Sequence, residues 1–376
     1  MRILHVTDTY LPTLGGIELH VNDLAERQSL RHDVAVLVPA VRGVPVEEPD
    51  SPVPVHRVPS PRLPLLAPRA AEDVVAAYDP DVVHAHLSVG SPFTWAVVRA
   101  ASDRPVLATM HSMAPPSALA VSAGRALLGT RHGHVTLSAV SRVAAERIAT
   151  GLTQRTPVHV LPNGIDVAAW QVAPRQHDTF TFTTVGRLAG RKRPLALLRA
   201  LAEVHAAAPE QPWRALLVGE GPQDAELRRR LPGYRLSDRV VITGGLDRRQ
   251  IREVLAYTDV FVAPALLESF GIAALEARCA GLPVVGMAGS GVGDFVRPGT
   301  DGVLVEDDHD LARTLHRLAA HPDEVLAMAQ ASRGHPPGLD WAEVLERHDQ
   351  LYAAAREAVT RAGRALLTGP GIGLAT

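Results

Sequence analysis

The chain is poor in cysteine and lacks long apolar runs and an excess of basic charge. Its 376 residues include one cysteine, Cys279, so no disulfide can close within the chain and a reducing compartment fits. Cys279 stands in Glu-Ala-Arg-Cys-Ala-Gly, among small apolar neighbours, which reads as a packed thiol rather than a nucleophile. No apolar run approaches the roughly 18 residues that a membrane span needs. The N-terminal Met-Arg-Ile-Leu-His-Val-Thr-Asp reads as a buried first strand and not as a signal peptide, which predicts a cytoplasmic protein. An excess of charge of either sign is also lacking. The net charge is −2, and residues 1–170 hold 14 Arg against 15 Asp+Glu, so neither nucleic-acid affinity nor a strong membrane-binding patch on that half is indicated. The scarcest charged residue is lysine. Of 38 Lys+Arg residues only Lys192 is a lysine. Lysine offers a compact point charge and arginine a planar fork, so a lone lysine marks a place that grips a single phosphate oxygen, unless it is there by chance.

What is present points to two domains. A length of 376 residues, 46% hydrophobic and 21% charged, is ordinary for a two-domain globular chain. Short Val/Ile/Leu runs alternate with helical stretches. Strands are expected at Ile3–Thr7, Asp33–Val38, Val82–His86, Val106–His111 and Val135–Val140, with a helix from about Glu18 to Ser29. The rhythm restarts at Thr181–Val185 and continues through Arg214–Val218, Val240–Thr243, Val260–Ala263 and Pro283–Val285. This βαβα alternation predicts two doubly wound parallel sheets, with ligands at the carboxyl ends of the strands and the active site in a cleft between facing sheets. The expected divisions are residues 1–166 as a first domain, 167–178 as a linker, and 179–338 as a second domain. Residues 339–376 are expected to form a helix crossing back to the first domain, followed by a loose Gly-rich tail.

Two constellations carry chemistry. Glu268-Ser-Phe-Gly-Ile-Ala-Ala-Leu-Glu276 follows a strand, with Ser269 placed to cap a helix whose buried stripe is Ile272, Leu275 and Cys279. The amides near Phe270, Gly271 and Ile272 would face an anion, and Gly271 would let a ligand approach closely. Eight residues at ~1.5 Å each put the two carboxylates about 12 Å apart, too far for a pair acting on one bond, which needs roughly 5–9.5 Å. That span suits the two ends of a nucleotide diphosphate sugar. The second constellation is Gly186, Arg187 and Lys192, where two cations could hold a diphosphate as it gains charge.

Other signals are given plain readings. Asp79-Pro80-Asp81 has a metal-binding DxD form but lies before a strand and reads as a turn. Asp307-Asp308-His309-Asp310 reads as a solvated loop, and Gly219-Glu220-Gly221-Pro222 lacks the third glycine of a dinucleotide fingerprint. His84 and His86 are read as one facing the core and one the cleft. Ser117–His134 reads as a packed helix, with an amphipathic helix at a membrane surface as the open alternative.

In this order and spacing the motifs resemble the retaining glycosyltransferases of family 4, which have the two-domain GT-B fold. The resemblance rests on Gly15-Gly16-Ile17-Glu18, Thr109-Met110-His111-Ser112, Ala139-Val140-Ser141 and Pro162-Asn163-Gly164-Ile165-Asp166. In the second half it rests on Gly186-Arg187-Leu188 with Lys192, Val218-Gly219-Glu220-Gly221-Pro222, and the stretch from Glu268 to Glu276. The implied fold is α/β, with two Rossmann-like domains facing a central cleft. The implied reaction moves a hexosyl unit from a UDP- or GDP-sugar to an acceptor hydroxyl with retention, with no metal and no cofactor. By the resemblance, Arg187 and Lys192 bind the donor diphosphate, Glu268 contacts sugar hydroxyls and Glu276 the ribose. His111 lies near the donor sugar, and Gly16 lets a loop close over the phosphates. His86, Ser141 and Asn163 belong to the acceptor side.

The sequence departs from the family pattern at Arg193 and Pro194, where a glycine often follows the lysine, at Ala265 in place of a serine, and at Asp294 in place of a glutamate. Two other readings use the same pocket: a nucleotide-sugar 2-epimerase of the same fold, and a silent nucleotide-sugar-binding subunit. The second is disfavoured because Arg187, Lys192, Glu268 and Glu276 are all present.

Overall fold

Buried apolar runs fold into two all-parallel sheets. The computed structural model describes residues 1–13, 15–44, 52–60, 68–113, 135–151 and 157–367, the side chains of 151 and 361–367 excepted. The expected helix at Ser117–His134, with its membrane alternative, and the tail from 368 lie outside the described residues. The chain divides into two units, Met1–Gly164 with Trp341–Thr376, and Ile165–Asp340.

In the first unit seven strands run β1 (Arg2–Thr7), β2 (Asp33–Pro39), β3 (Val55–Val58), β4 (Val82–Leu87), β5 (Val106–Met110), β6 (Val135–Ala139) and β7 (Val158–Val160). Their order across the sheet is β3-β2-β1-β4-β5-β6-β7. Helices α1 (Gly16–Ser29), α2 (Arg69–Tyr78), α3 (Pro92–Ala100) and α4 (Arg142–Gly151) connect them. Side chains alternate across a strand with a period of two, so each strand supplies both faces. Leu4, Val6, Ala35, Leu37, Val83, Ala85, Val106 and Ala108 build one core layer. Ile3, Val34, Val36, Val38, Val82 and Leu107 build the other, with Val21 and Ala25 of α1 and Tyr352 of the C-terminal helix (Trp341–Leu367). Each Val, Leu or Ile side chain removed from water contributes about 1.5–3 kcal/mol.

The second layer holds the polar groups of interest. His5, His84 and His86 share the parity of Ile3 and Val82, so they face that layer together. This corrects the reading that sent His84 and His86 to opposite sides: residues two apart on a strand share a face, and both rings are buried. The C-terminal helix turns Trp341, Val344, His348, Tyr352 and Ala355 inward at helical spacing.

In the second unit the strands are β8 (Phe180–Val185), β9 (Trp213–Val218), β10 (Val240–Gly244), β11 (Val260–Ala263), β12 (Val284–Met287) and β13 (Gly302–Val305), in the order β10-β9-β8-β11-β12-β13. The helices are α5 (Val167–Trp170), α6 (Pro194–Ala207), α7 (Asp224–Arg230), α8 (Arg248–Leu255), α9 (Ile272–Cys279), α10 (Asp308–Ala320) and α11 (Pro322–Gly334). Residues 167–178 are tied to this unit. Asp166 caps α5 by accepting from the Ala169 amide at 2.9 Å, and the Arg175 amide donates to the Ala256 carbonyl at 2.8 Å. The run Asp307–Asp310, expected as a solvated loop, starts α10 instead. Asp307 accepts from the Asp310 amide at 2.8 Å, and acids at a helix N-terminus are favoured by its exposed amides.

In both sheets the strand order reverses beside the first strand of the unit, between β1 and β4 and between β8 and β11. Ligands of open parallel sheets bind at such switch points, at the carboxyl ends of the strands.

Candidate active site

The switch point of the second unit opens into a pocket. Its walls are the ends of β8 and β11 and the first turns after them. Gly186, Arg187, Lys192, Glu268 and Gly271 all line it. The loop after β8 is laid along the loop after β9: the Gly186 amide donates to the Val218 carbonyl at 2.9 Å and the Leu188 amide to that of Glu220 at 2.8 Å. The approach is so close that a Cβ on Gly219, whose φ is +136°, would lie 2.0 Å from the Gly186 carbonyl oxygen. A turn at Gly190–Lys192 then lifts Lys192 to the pocket wall, where its Nζ donates to Glu268 Oε2 at 2.5 Å. Glu268 is 9% exposed, so its charge is held in place by this partner rather than by water. Arg187 is exposed, and its guanidinium pairs with none of the described residues. One cation is thus pre-oriented by a carboxylate and the other is open to a ligand.

Arg193 explains a departure from the family pattern. It adopts a left-handed backbone at φ 57°, where glycine is at ease. Its side chain offsets the strain by donating twice to Asp308, at 2.6 and 2.9 Å, and to the Pro264 carbonyl at 3.1 Å. The turn carrying Lys192 is thereby fastened to β11 and α10.

The Glu268–Glu276 stretch is arranged differently from expectation. Ser269 does not cap the helix. The residue before α9 is Gly271, at φ +94°, with no side-chain cap. The reason is Gly291, whose amide donates to the Glu268 carbonyl at 2.7 Å and whose Cα is so close that an added Cβ would meet the Ser269 oxygen at 2.2 Å. This contact fastens 268–270 in a bend ahead of the helix, which starts at Ile272. Ser269 and Phe270 are buried, with Phe270 packed on Phe295 at 5.5 Å between ring centroids. Ile272 and Glu276 are half-buried on α9 and are not among the pocket-lining residues.

In the first unit Gly16 opens α1 and is exposed. Ser141 accepts from the Ala144 amide at 3.2 Å at the start of α4. Asn163 is buried, and among the described residues nothing hydrogen-bonds its Oδ1. His111 follows β5 and is buried within a network of imidazoles. Its Nε2 lies 2.9 Å from His86 Nδ1, and His86 Nε2 lies 2.8 Å from His5 Nδ1. His86 is therefore enclosed by protein and supports His111. Burial pulls the imidazoles of His5 and His111 down to about 3, and those of His20, His84 and His86 well below the ordinary value of 6.5. By residue type His5, His84 and His86 would suit a metal. Both nitrogens of each ring already have protein partners, which makes the group a closed hydrogen-bond network.

Comparison with known proteins agrees with this geometry. The pattern of the family Glycosyltransferase Family 4 matches residues 14–169, and that of Glycosyl transferases group 1 matches 170–335. The chain belongs to these glycosyltransferases. It is 27% identical to D-inositol 3-phosphate glycosyltransferase 1 of Catenulispora acidiphila, over 91% of each chain. It is 29% identical to the GDP-mannose-dependent alpha-mannosyltransferase of Mycolicibacterium smegmatis, over 82% of this chain and 85% of that one. Its fold is that of Anabaena HepE, solved in complex with UDP, with a TM-score of 0.77, 22% identity, and coverage of 94% of this chain and 100% of HepE.

Within this glycosyltransferase the tempting alternatives have other duties. Asp79 pairs with Arg2 at 2.6 Å and Arg104 at 2.5 Å, and the hydrogen bond from Arg104 does most to keep its carboxyl below the usual range. Asp81 accepts from the Arg2 amide at 2.8 Å. Burial pushes the Cys279 thiol up to about 12, so it is not a nucleophile at neutral pH. Sequence reasoning missed the pocket walls at Thr184, Pro264, Ala265 and Ala274. For Thr184, Pro264 and Ala265 the sequence signal is position, at or just beyond the ends of β8 and β11, while Ala274 lies within α9. It also missed Arg193 as the fastener of the lysine turn.

Among the described residues, no helix is long and apolar enough to cross a membrane.

Proposed function

We propose that this glycosyltransferase moves a hexosyl unit from a UDP- or GDP-sugar to an acceptor hydroxyl, with retention, and without a metal or other cofactor. The observation that carries the reading is the gathering of Arg187, Lys192 and Glu268 with Gly186 and Gly271 in one pocket at the β8/β11 switch point. As the bond from the sugar anomeric carbon to the diphosphate oxygen breaks, its electron pair passes to the diphosphate. The Arg187 and Lys192 charges therefore favour the transition state over the ground state. The acceptor oxygen bonds to the same face of that carbon, and its proton passes to a phosphate oxygen of the leaving group. Glu268 steadies Lys192 before the donor arrives and offers a carboxylate to sugar hydroxyls. The DxD carboxylates are engaged by arginine and backbone, which supports charge neutralisation by side chains rather than by a divalent ion.

The relatives support a nucleotide-sugar donor: one is named for GDP-mannose, and the fold match was solved with UDP. In a thermal-shift screen of UDP-, GDP- and ADP-sugars, a donor at 100 times its Kd is expected to stabilise the protein by ~2.7 kcal/mol. With that donor and an acceptor, product NMR is expected to show the donor's anomeric configuration, with full turnover in excess chelator. An inverted product or loss of activity with chelator would refute the mechanism. Donor incubated alone should stay unchanged, and conversion to an epimer would instead favour the 2-epimerase.

A further inference from the structure

Gln28 is the root of two hydrogen-bond chains that cross the sheet of the first unit. Its Oε1 lies 2.8 Å from His5 Nε2, and its Nε2 donates to the Tyr352 hydroxyl at 3.0 Å. From His5 one chain runs to His86 at 2.8 Å and on to His111 at 2.9 Å. From Tyr352 the other runs to His84 Nδ1 at 2.8 Å, Thr109 at 2.8 Å and Ser138 at 2.7 Å. All of these side chains are buried. We propose that Gln28 is a positioning residue that fixes which ring nitrogen of His111 carries the proton.

The argument is one of alternation. A neutral imidazole has one donor nitrogen and one acceptor nitrogen. Both ring nitrogens of His5, His84 and His86 meet uncharged partners, and a charge so deeply buried among them is strongly disfavoured. Gln28 Oε1 can only accept, so the proton of His5 sits on Nε2 and its Nδ1 is bare. His86 must then donate from Nε2, leaving its own Nδ1 bare. His111 in turn donates from Nε2 and keeps Nδ1 as its acceptor. The second chain obeys the same rule. Tyr352 accepts from Gln28, so its single hydroxyl proton goes to His84 Nδ1, and His84 donates from Nε2 to Thr109. Hydroxyls rotate and imidazoles exchange tautomers, but the oxygen and nitrogen of an amide are chemically distinct. Among the members of the two chains only Gln28 can give them a direction. Its influence reaches His111 through two intervening rings, and the neutral rings fit the depressed basicity of the cluster.

The consequence for transfer rests on the reading of His111 as a residue of the sugar site: it works as an Nε2–H tautomer that accepts at Nδ1, not as an acid. The test uses the full chain with 15N-labelled histidine. Long-range 1H–15N spectra report which ring nitrogen is protonated, and the His111 signals are assigned by their loss in His111→Gln. His111 in the unaltered enzyme is expected to be the Nε2–H tautomer. An Nδ1–H or doubly protonated ring would overturn the proposal without any further variant. Gln28→Met is expected to give His111 a mixed or reversed tautomer and to lower kcat about ten-fold with donor KM within about two-fold. Should that variant not fold, His86→Leu cuts the same chain and carries the same expectation. Thr109→Val, on the other branch, should leave the His111 tautomer intact. A pure Nε2–H ring at His111 in Gln28→Met or His86→Leu overturns the relay. A shifted tautomer with unchanged turnover keeps the relay and instead overturns the role of His111 in transfer.

Discussion

Lys192 and Glu268 show how little separates a structural ion pair from a working one. Their 2.5 Å contact joins a side chain 40% exposed to one only 11% exposed. The carboxylate therefore orients the ammonium, while the ammonium keeps an open side for a phosphate oxygen. A guanidinium at this place would satisfy Glu268 with a planar fork and carry its charge further out. Lys192→Arg is expected to lower kcat about 100-fold while leaving the melting temperature unchanged, although arginine is this chain's habitual cation. Near-normal turnover in that variant would mean that the pocket does not need a point charge. Gly271 offers a second test. At φ +94° a Cβ there would press on Val292 Cγ2 at 3.0 Å. Gly271→Ala should destabilise the second unit by about 1–2 kcal/mol in denaturant melts.

Helix α9 is held from its far side. Arg278 donates to Asp301 at 2.6 Å, to Ser332 Oγ at 2.6 Å and to the His335 carbonyl at 2.8 Å. Arg278 and Asp301 have side chains 2% and 0% exposed, so removing the carboxylate strands a buried guanidinium. Asp301→Ala is expected to cost roughly 3–5 kcal/mol, read by chemical unfolding. A loss below 1 kcal/mol would show that Ser332 and the backbone carbonyls suffice for Arg278. Such elements differ in how far the sequence discloses them. Central strands were legible as apolar runs, and Thr181–Val185 and Arg214–Val218 fall within one residue of β8 and β9. The strands that escaped were β3, β7 and β13, each of three or four residues at a sheet edge, too short to show a period. In the candidate site, Gly186, Arg187, Lys192 and Glu268 were legible because loop chemistry is local. The ties among His5, Gln28, His86 and Tyr352 were not, because His5 and His86 stand 81 residues apart and Gln28 and Tyr352 stand 324 apart. Parity errors such as that at His84 and His86 arise when an expected function is allowed to override the strand's period of two.

At the scale of the whole molecule, the buried histidines make the first unit acid-sensitive. Folded His5 and His111 titrate near 3 and His348 near 4, all lowered chiefly by burial from 6.5. Asp349 opposes the shift at His348, and Arg27 adds to that at His20. Because the folded rings stay neutral while the unfolded chain takes up protons, their contribution is complete above pH 6.5 and is lost as pH falls from there toward 3. At pH 5 each of these three sites weakens the fold by roughly 2 kcal/mol, a large fraction of a typical domain's stability of about 5–15 kcal/mol. Hydrogen exchange is expected to show β1, β4 and β5 losing protection between pH 6 and 4 before the strands of the second unit. Protection in β1 that persists unchanged to pH 4 would contradict this account. The connectivity has a temporal side as well. The chain leaves the first unit at Gly164 and re-enters it at Trp341, and a Cβ on Gly164 would meet the Trp341 ring at 2.4 Å. The second unit is thus an insertion whose two ends are pinned side by side, and a ribosome finishes it whole before making the helix that carries His348 and Tyr352. Until that last helix docks, Gln28 and His84 lack their shared partner, so the first half of the chain to be made is the last to be finished.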